Sequence, residues 1–313
     1  MPEVRVSGLS LSTESGANLL DALQAAGLPV ASSCRAGHCQ TCLVRSDSSG
    51  VPAQARYGLS LPQQQAGWLL SCQCPVQADL TVELHDPARD GIPAWVHSID
   101  RLAPTILRVR LVMHKPMRFR PGQHLSIWVT DTLARPYSIA SQNGDPWLEF
   151  HIRQHRTGAM SQALARLEPG QPVYLGAPGG ALHYDVDWSD RPLLLLGRGT
   201  GLAPLQAIAR DAIARGHGQY IDLWHWHSAA DNGCYLAEAL LELATAFPIL
   251  RVHLRHEKQL DTDLATLRPA SRNAIALAAG DPGFVDRLRR PLFMAGLAGR
   301  QIIDEAFAMR EAP

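Results

Sequence analysis

Hydrophobic and polar positions divide the chain into three stretches with different periods. Near the N-terminus, Leu19, Leu20, Leu23 and Leu28 in "NLLDALQAAGLPV" recur at helical spacing and Gly27 supplies a stop, which predicts a short amphipathic helix. From residue 95 to 187 the pattern alternates. "TILRVRLVM", "HLSIWV", "WLEFHIR" and "PVYLG" read as strands separated by turn signals and predict an antiparallel barrel or sandwich. From residue 188 onward, apolar runs alternate with helical patterns. "RPLLLLGRGTGLAPLQAIARDAIARG" is an apolar strand, a glycine turn and a helix with Leu205, Ile208, Ala212 and Ile213 on one face. "YIDLWHW", "CYLAEALLELATAF", "LRVHLRH" and "AIALAAGDPGFVDRLRRPLFMAGL" repeat that alternation, which predicts a doubly wound α/β parallel sheet.

Two breaks separate these stretches: "HDPARDGIPA" (85–94), where Pro and Gly interrupt the pattern, and "DVDWSDRP" (185–192). With 313 residues the chain accommodates three domains, expected at 1–88, 95–187 and 188–313. Lys plus Arg and Asp plus Glu both number 29, so no net field draws the chain to nucleic acid or anionic lipid. No signal peptide is visible, and the longest apolar runs are too short to span a bilayer. The expectation is a cytoplasmic monomer with no membrane partner. In that compartment disulfides are rare, and clustered cysteines more often hold metal or do redox work.

Three of the six cysteines crowd into "SCRAGHCQTC" (33–42), and a fourth follows in "LLSCQC". Cys34, Cys39, Cys42 and Cys72 make C-x4-C-x2-C with a distant fourth cysteine, the plant-type [2Fe–2S] spacing. Such a cluster concentrates negative charge, and Ala36 and Gly37 let backbone N–H groups approach it. The alternative is a four-cysteine zinc site, which more often uses two C-x2-C pairs where this chain has one. Cys74, two residues past Cys72, points the other way if this is a strand, and Cys234 stands alone in sequence.

On these residues, 1–88 resembles a plant-type ferredoxin domain, which implies an α+β β-grasp fold. The middle stretch carries "FRPGQHLSI" (119–127), "RPYSIAS" (135–141), "HIRQHRTGAMSQAL" (151–164) and "EPGQPVYLGAPGGAL" (168–182), in that order. This series is similar to the flavin domain of the ferredoxin–NADP reductase superfamily, an antiparallel β-barrel. The resemblance implies FAD held by Arg135, Pro136, Tyr137 and Ser138, with Tyr137 stacked on the ring and Ser138 near its N5. It further implies that His151, Ile152 and Arg153 run beside the cofactor and that Gly158, Ala159, Met160 and Ser161 form a second phosphate-binding segment. Phe307 is the candidate for a terminal aromatic against the flavin, or a core residue of a final helix.

The third stretch resembles the NAD(P)H domain of the same superfamily. Its glycine spacing, Gly197, Gly199 and Gly201, does not make G-x-G-x-x-G, but "GTGLAP" fits the family motif. The resemblance implies that Gly199, Thr200, Gly201, Ala203 and Pro204 bind the nucleotide, together with Gly280, Asp281 and Pro282. Ala279 stands where relatives carry a cysteine beside the nicotinamide, leaving space that a thiol would fill. Strand alternation puts His225 and His227 on one face. Without a third ligand they make a poor metal site and are expected to touch the nucleotide or lie exposed. No Lys or Arg occurs between Arg215 and Arg251, so NADH is the expected donor over NADPH.

The order ferredoxin, flavin, nucleotide resembles the reductase component of bacterial aromatic-ring and alkane oxygenase systems. That implies an NAD(P)H-dependent iron–sulfur flavoprotein oxidoreductase whose electron acceptor is a terminal oxygenase or a separate ferredoxin. Two other readings stay open: the same electron path serving a sugar-deoxygenating partner, and a non-catalytic redox sensor on the same fold.

Overall fold

The structure, a computed structural model, describes residues 1–155 and 157–307. Three large sheets follow one another along the chain, with a two-stranded pairing of Ala17–Asn18 and Pro75–Val76 in addition. In the first, the strand order is Leu9–Ser12, Glu3–Val6, Leu80–Leu84, Leu43–Arg45, Trp68–Leu70, with Glu3–Val6 parallel to Leu80–Leu84. The predicted helix spans Leu19–Ala25. Asn18 caps it by accepting the Asp21 N–H, and Leu19, Leu20 and Leu23 are buried. Leu28 lies beyond the helix end and packs on the same core from a turn.

The second sheet has six strands in the order Ala134–Ser138, His124–Trp128, Pro172–Leu175, Ile92–Ala103, Ile106–Val112, Leu148–Arg153, every neighbouring pair antiparallel. Its strand Ile92–Ala103 begins inside the expected linker. The Asp86 side chain caps a helical turn at Pro87–Asp90, and "IPAW" then pairs with Pro172–Leu175, burying Ala94 and Val96. Only His85 to Gly91 remains as connection, and it is ordered: the His85 ring stacks on Trp128 at 4.9 Å and tilts against Trp68 at 5.5 Å.

The third sheet is wholly parallel, in the order Leu250–His256, Ile221–His227, Leu193–Arg198, Ile275–Gly280, Ile302–Ala306. Numbered by sequence this is 3-2-1-4-5, and the switch point falls between Leu193–Arg198 and Ile275–Gly280. Leu193 and Leu195 pack toward helix Leu202–Ala214, while Leu194 and Leu196 pack toward Leu260–Thr266 and Pro282–Met294. Both faces are covered, which explains the unbroken apolar run, and each buried leucine contributes about 1.5–3 kcal/mol. The segment before Phe307 is a strand pairing with Ile275–Gly280, so the final-helix reading of Phe307 is corrected. No helix among the described residues is long and apolar enough to cross a membrane.

Candidate functional site

Three left-handed residues shape the cysteine loop: Arg35, Gly37 and Gln40, with φ of 52°, 83° and 55°. Such turns cost a non-glycine residue roughly 1–2 kcal/mol, and here they rotate amides toward sulfur. Cys34 Sγ accepts N–H bonds from Ala36 at 3.3 Å and Cys39 at 3.4 Å, and Cys39 Sγ accepts from Cys34 at 3.4 Å. The Gln73 side chain donates to Cys72 Sγ at 3.4 Å. The four sulfurs associate two by two. A hydrogen bond from the Cys39 thiol, followed by backbone N–H groups, draws Cys34 down to about 4 against its burial. A bond from the Cys42 thiol likewise brings Cys72 to about 6. Among the described residues no three His, Cys, Asp or Glu side chains converge on one point. Two thiol pairs ringed by amide donors fit a two-iron, two-sulfide unit with one pair per iron, and fit a single four-coordinate zinc poorly.

Cys72 sits in a short 3-10 turn, Ser71–Gln73, rather than on a strand, so its separation from Cys74 does not come from strand alternation. Cys74 is fully buried in the apolar core, where burial pushes its thiol up to about 11. Cys234 is not isolated, because its Sγ lies 3.2 Å from His225 Nδ1.

The loop is docked on the middle sheet. Ser126 Oγ donates to the Cys39 carbonyl at 2.6 Å, His124 Nε2 meets the His38 carbonyl at 3.3 Å, and Arg135 Nη1 donates to the Ser32 carbonyl at 3.3 Å. Ser126 is the register partner of Pro136, so one strand touches both the cysteine loop and "RPYS". On that second strand, Arg135 also donates to the Ala134 carbonyl, Tyr137 packs half-buried on the core, and Ser138 Oγ lies 3.5 Å from Glu305 Oε1. Glu305 in turn stands 2.9 Å from His124 Nδ1. This contact is within ion-pair distance when the His124 ring is protonated. Burial lowers the His124 pKa, but Glu305 outweighs it and the net direction is upward. Glu305 Oε2 is buried without a hydrogen-bond partner among the described residues.

The remaining middle-unit candidates divide. Ile152 is buried in the core and His151 is held between Glu149 Oε1 at 3.0 Å and Tyr235 OH at 3.1 Å, so neither side chain faces an open crevice. Arg153 leaves its own sheet: it donates to Asp231 Oδ2 at 2.8 Å and Thr105 Oγ1 at 2.7 Å, and lies against Gly199. Gly158 opens helix Ala159–Leu164 with no side-chain cap, Met160 is buried, and Ser161 Oγ accepts the His155 N–H at 2.9 Å. Uncapped N–H groups at a glycine turn suit an anion.

At the switch point, Gly199–Gly201 and Thr200 turn into helix Leu202–Ala214, with Ala203 and Pro204 buried in its first turn. Gly201 is packed so tightly that a Cβ there would overlap the Ala279 carbonyl. Ala279 itself has no exposed surface and belongs to the apolar cluster under helix Leu202–Ala214, which corrects the expectation of an open space beside it. His225 is likewise not a surface residue: it is fully buried, and its Nε2 lies 3.0 Å from the Gly199 carbonyl. Burial holds its pKa down at about 4, so the neutral ring donates to that carbonyl and braces the turn. His227 diverges from it, its ring 6.4 Å from His225 and 5.6 Å from His256 on the next strand. Asp281 caps helix Pro282–Met294 by accepting the Phe284 N–H, and Pro282 occupies the first turn. The Phe307 N–H donates to the Gly280 carbonyl at 2.7 Å, and Phe307 packs on the neighbouring core.

Sequence reasoning passed over Ser126, His124 and Glu305, along with the ion-paired Arg198 and Glu257 discussed below. Ser126 and His124 lay inside the quoted "FRPGQHLSI", and Glu305 inside "DEAF", but only the sheet pairing reveals what they touch.

Residues 4–77 match the 2Fe-2S iron-sulfur cluster binding domain, and residues 99–184 match the oxidoreductase FAD-binding domain. The chain is 32% identical over 257 residues to a Ralstonia protein, the ferredoxin–NAD(P)(+) reductase component of naphthalene 1,2-dioxygenase/salicylate 5-hydroxylase systems, covering 79% of this chain and 76% of that one. It is 33% identical over 248 residues to the corresponding component of the Pseudomonas putida naphthalene 1,2-dioxygenase system, covering 76% and 74%. Among solved structures, the Amycolatopsis cytochrome P450 reductase superposes with a TM-score of 0.66 at 27% identity, over 98% of this chain and 99% of that one.

Proposed function

We infer the work of this chain from the family to which it belongs, the ferredoxin–NAD(P)(+) reductase components of multicomponent oxygenase systems. It is an oxidoreductase that passes electrons from NAD(P)H through FAD and a [2Fe-2S] cluster to a terminal oxygenase or ferredoxin. FAD, when bound, would supply the conversion of one hydride, carrying two electrons, into single electrons for the cluster, which neither nicotinamide nor cluster performs alone.

The protein's part is to hold and orient. We assign the chain before the His85–Gly91 connection to a β-grasp ferredoxin domain, 92–187 to a flavin barrel and 188–313 to a doubly wound nucleotide domain. The three separate sheets support this, and so does the approach of the outer middle strands Ala134–Ser138 and Leu148–Arg153 to one another. Cys34 with Cys39, and Cys42 with Cys72, would hold the cluster. Arg135, Tyr137 and Ser138, with Gly158 and Ser161, would hold FAD, and Phe307 would border it. The Gly199–Gly201 turn, with Gly280 and Asp281, would hold the nucleotide. Ser138 and Glu305 sit where a proton can be held beside the flavin strand. Arg153 contributes by tying the flavin unit to the nucleotide turn and not by free phosphate contact.

One observation carries this path most directly. The carbonyl of the cluster-loop residue Cys39 is hydrogen-bonded to the strand that pairs with "RPYS". Anaerobic stopped-flow with NADH tests it: flavin absorbance should bleach first, and the cluster bands should follow at a rate independent of protein concentration. Cluster reduction that depends on protein concentration would mean electrons pass between molecules and would overturn the path.

A further inference from the structure

The proposed nucleotide crevice contains a charge network that the path above leaves without a task. In a doubly wound sheet the ligand lies outside the carboxyl ends of the strands, with its pyrophosphate on the first glycine turn and its adenosine ribose toward the end of the second strand. Here the second strand, Ile221–His227, is followed by Ser228, which carries no charge. The carboxylate at this end arrives from the third strand. Glu257 follows His256, the register partner of His227. Its Oε2 lies 2.8 Å from Arg198 Nη2, and Arg198 Nη1 lies 3.0 Å from Asp281 Oδ2. One guanidinium at the end of the first strand therefore spans the switch point, clamped by two carboxylates.

The other cations near the third strand are placed elsewhere or left loose. Arg255 is gripped by the buried Asp263 at 2.7 Å, Arg251 stacks on the Tyr220 ring at 3.5 Å near the opposite end of the sheet, and Arg272 lies against Gly296. His256 Nδ1 accepts the Lys258 backbone N–H, leaving the Lys258 ammonium exposed next to Glu257. A 2′-phosphate carries close to two negative charges and needs a guanidinium or ammonium beside it. A 2′-hydroxyl needs only an acceptor. Arg198 meets the first need in position but not in availability.

We propose that Glu257 sets the dinucleotide choice: its carboxylate accepts the 2′-hydroxyl of NADH, repels a 2′-phosphate and withholds the Arg198 guanidinium from it. This rests on the Gly199–Gly201 turn being the nucleotide site. Two probes differing only in the 2′-phosphate, AMP and 2′,5′-ADP, give a binding readout on the flavin-loaded, cluster-loaded protein by calorimetry. The wild type should bind AMP more tightly. Glu257→Gln keeps the shape and removes the charge, so 2′,5′-ADP should gain about tenfold in affinity while AMP loses about threefold, because a carboxamide is the weaker acceptor. The NADPH/NADH ratio of kcat/KM should rise in parallel. Arg198→Ala placed on Glu257→Gln should erase the gain, and Glu257→Asp, which keeps the charge, should retain the wild-type preference. An unchanged ratio of the two affinities in Glu257→Gln would overturn the proposal even with NADH still reducing the flavin. Wild-type protein that binds neither probe and is reduced by neither nucleotide would instead remove the crevice assignment on which it stands.

Discussion

The cysteine loop and the nucleotide turn are both tight bends that present backbone to a charged group, yet they are built in opposite ways. Residues 34–42 supply three of the four thiols, and the left-handed turns at Arg35, Gly37 and Gln40 aim the loop's own amides at them. Little outside is needed except Cys72 and Gln73. The Gly199–Gly201 turn organises almost nothing by itself. Its carbonyl is held by His225 from the next strand, its flank by Arg153 from another sheet, and its underside by Ala279 from the strand across the switch point. A self-contained loop advertises itself by spacing. A turn assembled from distant strands is visible only when the topology is known.

The sharpest way to break this comparison is to damage each site and watch the other. Replacing Cys34, Cys39, Cys42 or Cys72 by Ser should abolish or distort the cluster absorption while NADH still reduces the flavin. Cys74→Ser should keep the cluster and lower stability by roughly 1–3 kcal/mol, the cost of an unpaired hydroxyl in an apolar core. Loss of flavin reduction in the ligand variants would show that the loop is not self-contained. Next in size is Gly201→Ala. Its methyl must displace the Ala279 carbonyl, at a cost of about 1–3 kcal/mol, which should weaken nucleotide binding by roughly ten- to hundredfold and leave the cluster spectrum intact. A titration showing wild-type affinity would mean that the turn yields where the packing says it cannot.

Protonation gives a third, graded test. His225 has its pKa lowered by burial from 6.5 to about 4. The unfolded chain therefore takes up a proton that the folded one refuses, and stability falls as pH drops from about 6.5 toward 4, by at most about 3 kcal/mol. Protection of the Ile221–His227 amides against hydrogen exchange should decline over that window, and His225→Gln should flatten the decline. The cysteine-loop amides serve as the internal reference. The smallest effect is expected at Ser126→Ala, which deletes one interdomain hydrogen bond worth about 1 kcal/mol. Flavin-to-cluster transfer should slow a few-fold while flavin reduction by NADH keeps its rate. A flavin-to-cluster rate unchanged from wild type in the variant would show that the Cys39 carbonyl contact is incidental.

Periodicity carried much of the architecture into view. The unbroken "LLLL" run read as an apolar strand of a doubly wound sheet, which the structure covers on both faces, and the alternating runs read as an antiparallel sheet, because burial on two sides or one leaves different spacings. The strand Ile92–Ala103 was hidden because Pro93 and Gly91 look like linker, although Pro93 is tolerated where the strand is paired on one side only, with Pro172–Leu175, before pairing with Ile106–Val112 begins at Trp95. The histidines misled for a different reason. Alternation places His225 and His227 on one side, but it cannot tell an exposed ring from one sealed under a glycine turn. Side chains that cross between sheets, such as Arg153, Glu305 and Ser126, leave no periodic trace at all. Their partners Asp231, Ser138 and Cys39 lie 78 or more positions away, in segments with no complementary pattern. Ala279 looked like an empty position only because a missing thiol suggests a missing contact, whereas the residue is fully buried in the apolar cluster under helix Leu202–Ala214.

The hydrogen bond from Ser126 to the Cys39 carbonyl has a kinetic meaning beyond geometry. Carriers that exchange electrons by collision obey mass action: dilution slows them, viscosity slows them, and a wrong partner can intercept the charge. Here the donor and acceptor regions belong to one polypeptide and are fastened at a fixed separation, so the effective local concentration of one for the other is set by the fold. Diffusion enters only at the two ends of the route, where the nucleotide arrives and where the external acceptor departs.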